Sequence, residues 1–204
     1  MRRLVIDCAT EACSVALFED GRLIAGTFEM LGRGHAERLV PMIAELPGQG
    51  RAETISVNIG PGSFTGIRVG LAAAKALALA WDAGLTGYET PALVAAMARQ
   101  TRGAVPVATA MTGGHGEWFV QCFDASGEPA VPLRSLSPVA AAETGTALVA
   151  GSQAEALVTA RGHGEALALW PDARAFALLG PSALRSAPAP VYGRAPDAKL
   201  PVAR

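Results

Sequence analysis

Apolar and polar positions alternate along the first thirty residues, then recur with a helical period. LVID (4–7) is a short apolar run and CSVALFEDGRLIAGTFE (13–29) follows it. Val15, Leu17, Leu23 and Ile24 flank Asp20-Gly21, a two-residue hairpin signal. Three antiparallel strands are predicted at 3–8, 13–19 and 22–29. In HAERLVPMIAEL (35–46), Ala36, Leu39, Val40 and Ile43 share one helical face, with Pro41 either near the first turn or kinking the helix. TISVNIG (54–60) reads as a buried strand and 66–81 as a helix. Residues 85–100 begin as a strand edge and continue as a helix, with Thr90 as N-cap and Pro91 at its first position. The first half is thus βββαβα plus one more helix.

A second half starts near residue 103. AVPVATAM (104–111) and EWFVQCFD (117–124) flank TGGHG as a second hairpin. Helices are predicted at 137–143, 154–161 and 171–180, with a strand at 147–152. The Pro/Ala-rich tail from Ser186 is predicted to be extended. GHGE occurs at 114–117 and 162–165; so short a match is better read as chance than as duplication.

Composition narrows the function classes. The 204 residues are half apolar, enough for one domain with a real core or two packed subdomains. Net charge is −1, from Lys+Arg 17 against Asp+Glu 18, which argues against autonomous nucleic-acid binding. Lysine occurs only at Lys75 and Lys199, limiting any mechanism that grips phosphate with lysine. The odd set Cys8, Cys13 and Cys122 argues against a disulfide framework and against zinc. The opening apolar run, Leu4–Ile6, is too short for a signal peptide, and Val69–Trp81 is too short, and broken by Lys75, to span a membrane. A soluble cytoplasmic protein with no membrane partner is expected.

The densest motif is NIGPGSFTGIRVG (58–70). It is not a Walker loop: Thr65 stands where the second glycine belongs, and Ile67 rather than lysine follows Gly66. It misses G-x-G-x-x-G because the third glycine is Gly66, one position late. Pro61 also removes a backbone N–H that a phosphate cradle would use. As a structural element it is a tight turn, Gly60-Pro61-Gly62, leading to a helix capped by Ser63 or Thr65. Gly66, Gly70, Ala74 and Ala78 then recur every four residues, with Ala73 beside them. This bare stripe allows close helix approach, either to the 35–46 helix or to a second chain. The helix N-terminus also offers an anion site near Ser63–Gly66.

Asp7 ends the first strand. Asp-x-x-Thr between strands resembles the first phosphate turn of actin, sugar kinases and chaperone ATPases. The glycine usual in that turn is absent here, where Ala9 stands instead. The alternative is that Asp7 and Thr10 close a β-turn through their side chains. Asp7, Thr10, Gly60, Gly62, Ser63, Thr65 and Gly66 are therefore candidates for a vestigial nucleotide or anion loop. His35, His115 and His163 form no i, i+3 or i, i+4 pair, and a histidine at a helix start reads as a cap or surface residue. Ser63 lacks the G-x-S-x-G frame of a nucleophile elbow. Trp118 and Phe119 read as core. No catalytic or metal-binding constellation emerges.

IDCATEACSVAL (6–17) and GPGSFTGIRVGLAAAKALALA (60–80), with HAERLVPMI (35–43) and PVYGRAPDAKLP (190–201), resemble the bacterial tRNA threonylcarbamoyladenosine biosynthesis family TsaB, also called YeaZ. The resemblance implies an α/β fold of the actin-like ATPase (ASKHA, ribonuclease H-like) type, in two subdomains, here about 1–102 and 103–204, with mixed sheets flanked by helices. It implies a non-catalytic subunit that docks and stabilises the catalytic subunit TsaD, works with the ATPase TsaE, and homodimerises otherwise. The complex moves threonylcarbamoyl from its adenylate to the adenosine beside the anticodon, so tRNA is an indirect partner. No cofactor of its own is implied, though a nucleotide at the interface with TsaD is compatible with it. The docking helices would be 35–46 and 66–81, with His35, Leu39, Ile43, Gly66, Gly70, Ala73, Ala74 and Leu77 facing the partner. The chain departs from the family at MTGGHGEWF (111–119), where Thr112 and Gly114 replace an Asp and an Arg, and at Asn58-Ile59, where Arg-Gly is common. A small ATP-dependent phosphotransferase or hydrolase of the same fold, using Asp7, is the alternative.

Overall fold

The computed structural model describes residues 1–193. Its first sheet has six strands, in the order Leu184–Arg185 (β11), Gly84–Tyr88 (β5), Thr54–Asn58 (β4), Arg2–Asp7 (β1), Ala12–Glu19 (β2) and Arg22–Met30 (β3). Strands β1 (Arg2–Asp7), β2 (Ala12–Glu19) and β3 (Arg22–Met30) form the antiparallel meander, turning at Asp20-Gly21. Strands β4 (Thr54–Asn58) and β5 (Gly84–Tyr88) add in parallel on the other side of β1. The second sheet, β10-β9-β6-β7-β8, repeats this plan. Its meander is β6 (Val107–Thr112), β7 (Trp118–Phe123) and β8 (Arg134–Leu136), and β9 (Leu148–Ala150) and β10 (Glu165–Leu167) run parallel to β6. The two halves therefore share a topology, although the GHGE copies do not mark it. One copy lies in the β6–β7 turn and the other precedes β10.

Each parallel strand pair needs a crossover, and helices supply it. Helix α1 (His35–Ala44) joins β3 to β4, and α2 (Phe64–Trp81) joins β4 to β5. In the second half α4 (Pro138–Ala142) and α5 (Ala154–Arg161) occupy the same places, while α3 (Thr90–Arg102) links the halves. Leu39, Met42 and Ile43 of α1 and Leu71 and Ala74 of α2 pack with Leu4, Ile6, Val15 and Val57 on one face of the first sheet. On its other face Val5, Ala16, Phe18 and Tyr88 meet Leu93 of α3 and Phe176. Val94, Ala95 and Ala98 of α3 turn toward the second sheet. Pro41 lies well inside α1 rather than in its first turn.

Several predicted boundaries shift for identifiable reasons. Thr90 is not an N-cap: Glu89 holds that position, and the Thr90 hydroxyl instead donates to Asn58 Oδ1 at 3.0 Å. The predicted helix at 171–180 is a 3₁₀ turn at Ala173–Leu178, started by Asp172 accepting from Arg174 N. That turn packs on the first sheet, and β11 (Leu184–Arg185) pairs with β5. The chain thus returns to the first half after residue 170. The predicted tail is anchored at Val191, whose N–H donates to Ile59 O at 2.7 Å; its part from 194 onward lies outside the described residues. Helix α2, at 18 residues, is longer than its apolar run suggested and is long and apolar enough to cross a membrane by those measures. Its Gly66–Ile67–Gly70–Leu71–Ala74 face, however, is built into the core.

Candidate functional site

The C-terminal ends of β1 and β4 and the start of α2 converge, bringing the sequence candidates together. Asp7 ends β1 and is wholly buried. Its Oδ2 accepts from Asn58 Nδ2 at 2.7 Å and from the Tyr88 hydroxyl at 2.9 Å, and its Oδ1 accepts from Ala9 N at 3.2 Å. Asn58 Oδ1 accepts in turn from Gly60 N at 2.8 Å and from Thr90. The network joins β1, β4, β5, α3 and the glycine loop. The turn after Asp7 closes locally, with Thr10 Oγ1 accepting from Ala12 N at 3.3 Å. His35, read as a cap or surface residue, is buried, and its Nε2 lies 2.8 Å from Thr10 O, tying α1 to this turn.

The glycine loop packs on backbone. Ser63 N donates to Ala9 O at 2.7 Å, and Ser63 Oγ caps α2 by accepting from Gly66 N at 3.2 Å. Thr65 does not cap. A β-carbon at Gly62 would overlap the Ala9 carbonyl, and one at Gly66 the Cys8 carbonyl. Glycine is required here by close approach. The Gly60-Pro61 peptide is cis.

Above the loop a cavity of about 270 Å³ opens between the halves. Thr10, Gly62 and Ser63 line it from one side and Thr112, Gly113 and Gly114 from the other, with Glu11 and Phe64. Among the described residues no lysine or arginine lines it, and Glu11, which accepts from Trp170 Nε1 at 3.3 Å, places a carboxylate in it. Of the sequence candidates, Thr10, Gly62 and Ser63 reach the cleft. Asp7, Gly60 and Gly66 lie buried beneath it. Among the described residues no three His, Cys, Asp or Glu side chains converge as metal ligands. Sequence reasoning missed Asn58 and Tyr88 as Asp7's partners, and Thr90 as the partner of Asn58. The signal available was an amide ending a buried strand. It also missed that Cys8 and Cys13, both free and buried, face each other with sulfurs 3.5 Å apart.

Burial pushes the Asp7 carboxyl up to about 7, against the opposing pull of its three donors. Its value in an unfolded chain lies near 3.8. Between those values the folded protein holds a proton there that the unfolded chain has lost, so this group's contribution to stability is fully present below about pH 4 and is lost as pH rises through 7, by on the order of 4 kcal/mol. Asp7→Asn is expected to flatten this slope in urea unfolding measured from pH 4 to 8. A slope unchanged by the substitution would place the titrating group elsewhere.

The residues predicted to face a partner are mostly turned inward. His35, Leu39, Ile43, Gly66, Gly70 and Ala74 are buried in this chain, and Ala73 and Leu77 are half-buried. The stripe at Gly66 and Gly70 exists so that α2 can lie on Cys8, Ile6 and Val57. The outward surfaces of the two helices carry other residues: Ala36, Val40 and Ala44 beside Glu37 on α1, and Ala72, Ala76 and Leu79 beside Lys75 on α2. Val40 is 61% and Leu79 88% exposed.

A family model for TsaD, tRNA N6-adenosine threonylcarbamoyltransferase, matches residues 29–132, about half of the chain. The tRNA threonylcarbamoyladenosine biosynthesis protein TsaB of Escherichia coli is 39% identical over 124 residues, covering 58% of this chain and 53% of that protein. The solved structure of YeaZ from Pseudomonas aeruginosa superposes with a TM-score of 0.73 at 28% identity, covering 87% of this chain and 89% of that one. The chain belongs to the TsaB/YeaZ family. Its fold is accordingly the actin-like, ASKHA type, with two mixed sheets flanked by helices. A tRNA N6-adenosine threonylcarbamoyltransferase of Anaeromyxobacter is 30% identical over 139 residues, covering 56% of this chain and 42% of that protein. The matched stretches span about half or less of these curated relatives' own length.

Proposed function

We propose that this chain is a non-catalytic subunit of the machinery that makes threonylcarbamoyladenosine in tRNA, and that it docks and stabilises a TsaD-like catalytic subunit. Its relatives carry the name of that biosynthesis. The observation that carries the non-catalytic role is the sealing of Asp7. A carboxylate that positions a metal-bound water in this fold must face the cleft, and this one is wholly buried and held by three donors. The phosphotransferase alternative would need that seal to open.

Docking falls on the outward stripes of α1 and α2 rather than on the inward positions the sequence suggested. Small residues at 36, 44, 72 and 76 permit close helix approach, and Val40 and Leu79 supply apolar anchors. The same surface serves a homodimer when the catalytic subunit is absent. A TsaE-like ATPase joins the assembled pair, tRNA is held by the complex, and the site of action is the cytoplasm.

Light scattering of the purified chain mixed with the TsaD-like subunit of its own organism tests this. The expected result is a heterodimer formed at the expense of homodimer. Two species that never associate, with or without ATP, would overturn the docking role.

A further inference from the structure

A second cavity, of about 370 Å³, lies away from the cleft between α3, the turn after β7 and the segment 178–185. Its floor includes Gln121. On β7, Phe119, Gln121 and Phe123 alternate onto the side that faces α3, and the two phenylalanines are core. An amide between them is out of place unless it has work to do. Gln121 is only 8% exposed, yet its side chain has no hydrogen-bond partner among the described residues. It faces the cavity.

One wall is Arg99 of α3. Its Nη2 donates to Ala125 O, and its Nε is buried with no acceptor among the described residues. A buried N–H left unpaired is costly, so such groups are usually matched by something. Gly127 packs directly on this guanidinium, where a β-carbon would overlap it. Beside it Glu128 receives the Ser182 hydroxyl at 3.3 Å but no cation among the described residues. The other charges of the cavity, Arg185 and Glu89, already pair at 3.3 Å. Among the described residues one cation and one carboxylate without an ion-pair partner, and one amide without a hydrogen bond, thus surround a space sized for a small molecule.

We propose that this cavity binds a free polar α-amino acid. Its carboxylate meets Arg99, its ammonium meets Glu128, and its side-chain hydroxyl or amide meets Gln121. The paired charges disfavour polyanions such as nucleotides, and neither a lone carboxylate nor a lone amine satisfies both walls.

The test is an amide NMR titration of the full chain with L-serine, L-threonine, L-asparagine and L-glutamine at millimolar concentration. Comparators are 3-hydroxypropionate and ethanolamine, which are serine without its amine and without its carboxylate. At least one amino acid is expected to shift the resonances of Arg99, Gln121 and Gly127 saturably, with both comparators far weaker. Arg99→Gln is expected to weaken binding roughly tenfold or more, as for loss of a charged hydrogen bond. Should that variant fold poorly, Glu128→Gln, at the rim, is expected to weaken it several-fold. No saturable shift with any of the four, a comparator binding as well as serine, or variants binding like wild type would each overturn the proposal.

Discussion

Gly66→Ala is expected to destabilise the chain by about 3 kcal/mol or more, lowering Tm by roughly 10 °C for a chain of this size. A methyl at Gly66 must displace the Cys8 carbonyl, and one at Gly62 the Ala9 carbonyl. Neither obstacle is a flexible side-chain end that can swing aside; both belong to the backbone of the turn that ends β1. Moving that turn also disturbs Ala9 N on Asp7 and Ser63 N on Ala9 O. Gly114 is the control: a β-carbon there meets nothing within 4 Å. Gly114→Ala is expected to unfold within about 0.5 kcal/mol of wild type. Thermal and urea unfolding of the three proteins decide the matter. Equal stabilities would mean that the loop does not sit on the β1–β2 turn.

Leu79→Asp is expected to abolish docking while leaving the fold intact. Leu79 is among the most exposed large apolar side chains and makes no core contact worth keeping. Placing a carboxylate at the centre of an apolar interface typically costs 2 kcal/mol or more, so affinity for the TsaD-like subunit is expected to fall at least about thirtyfold. Unfolding is expected to change by less than about 0.5 kcal/mol. The contrast is Gly70→Leu. A β-carbon at Gly70 already lies 3.5 Å from Cys8 Cβ and 3.6 Å from Val57 Cγ2, so three further carbons overpack the core. A complex lost in that variant would report damage to the fold, not the docking face. A Leu79→Asp protein that still binds its partner as wild type does would move the interface off α2.

The difference between these two positions shows how far the sequence is legible. Apolar patterns locate the first-half elements to within a few residues, because β1 and β2 are buried along most of their length and α1 buries Leu39, Met42 and Ile43, although Ala36 and Val40 of its predicted face are exposed. On α2 the pattern fails. Ala72, Ala73, Ala74, Ala76 and Ala78 make every face of the helix small and apolar, so hydrophobicity cannot say which side meets the core. The glycines decide it, and only once β1 is known to lie beneath them. The stripe at Gly66 and Gly70 lies on the chain's own Cys8, Ile6 and Val57 rather than on the 35–46 helix.

The candidate loop was legible as a group but not in its chemistry. Asp7, Thr10, Gly60, Gly62, Ser63 and Gly66 do converge. What the sequence hides is that Asn58 and Tyr88, 51 and 81 residues from Asp7, turn their donors onto its carboxylate. Pairings at such separation leave no local pattern. The short strands β8, β10 and β11, of 3, 3 and 2 residues, were missed because they are too brief to show a period. The return of residues 173–185 to the first sheet rests on Phe176 meeting Tyr88 and Phe18, edge to face at 5.5 and 6.1 Å, which no neighbouring residue announces.

The most direct test of a non-catalytic role in tRNA modification is a reconstituted assay. Threonylcarbamoyladenosine formed in tRNA is measured with supplied threonylcarbamoyl-adenylate, ATP and purified TsaD-like and TsaE-like subunits, with and without this chain. The expected result is that omission abolishes product, that Asp7→Asn, assayed at a temperature where it stays folded, restores it, and that Leu79→Asp does not. Full modification without the chain, or modification lost in folded Asp7→Asn while its complex still forms, would contradict the proposed role.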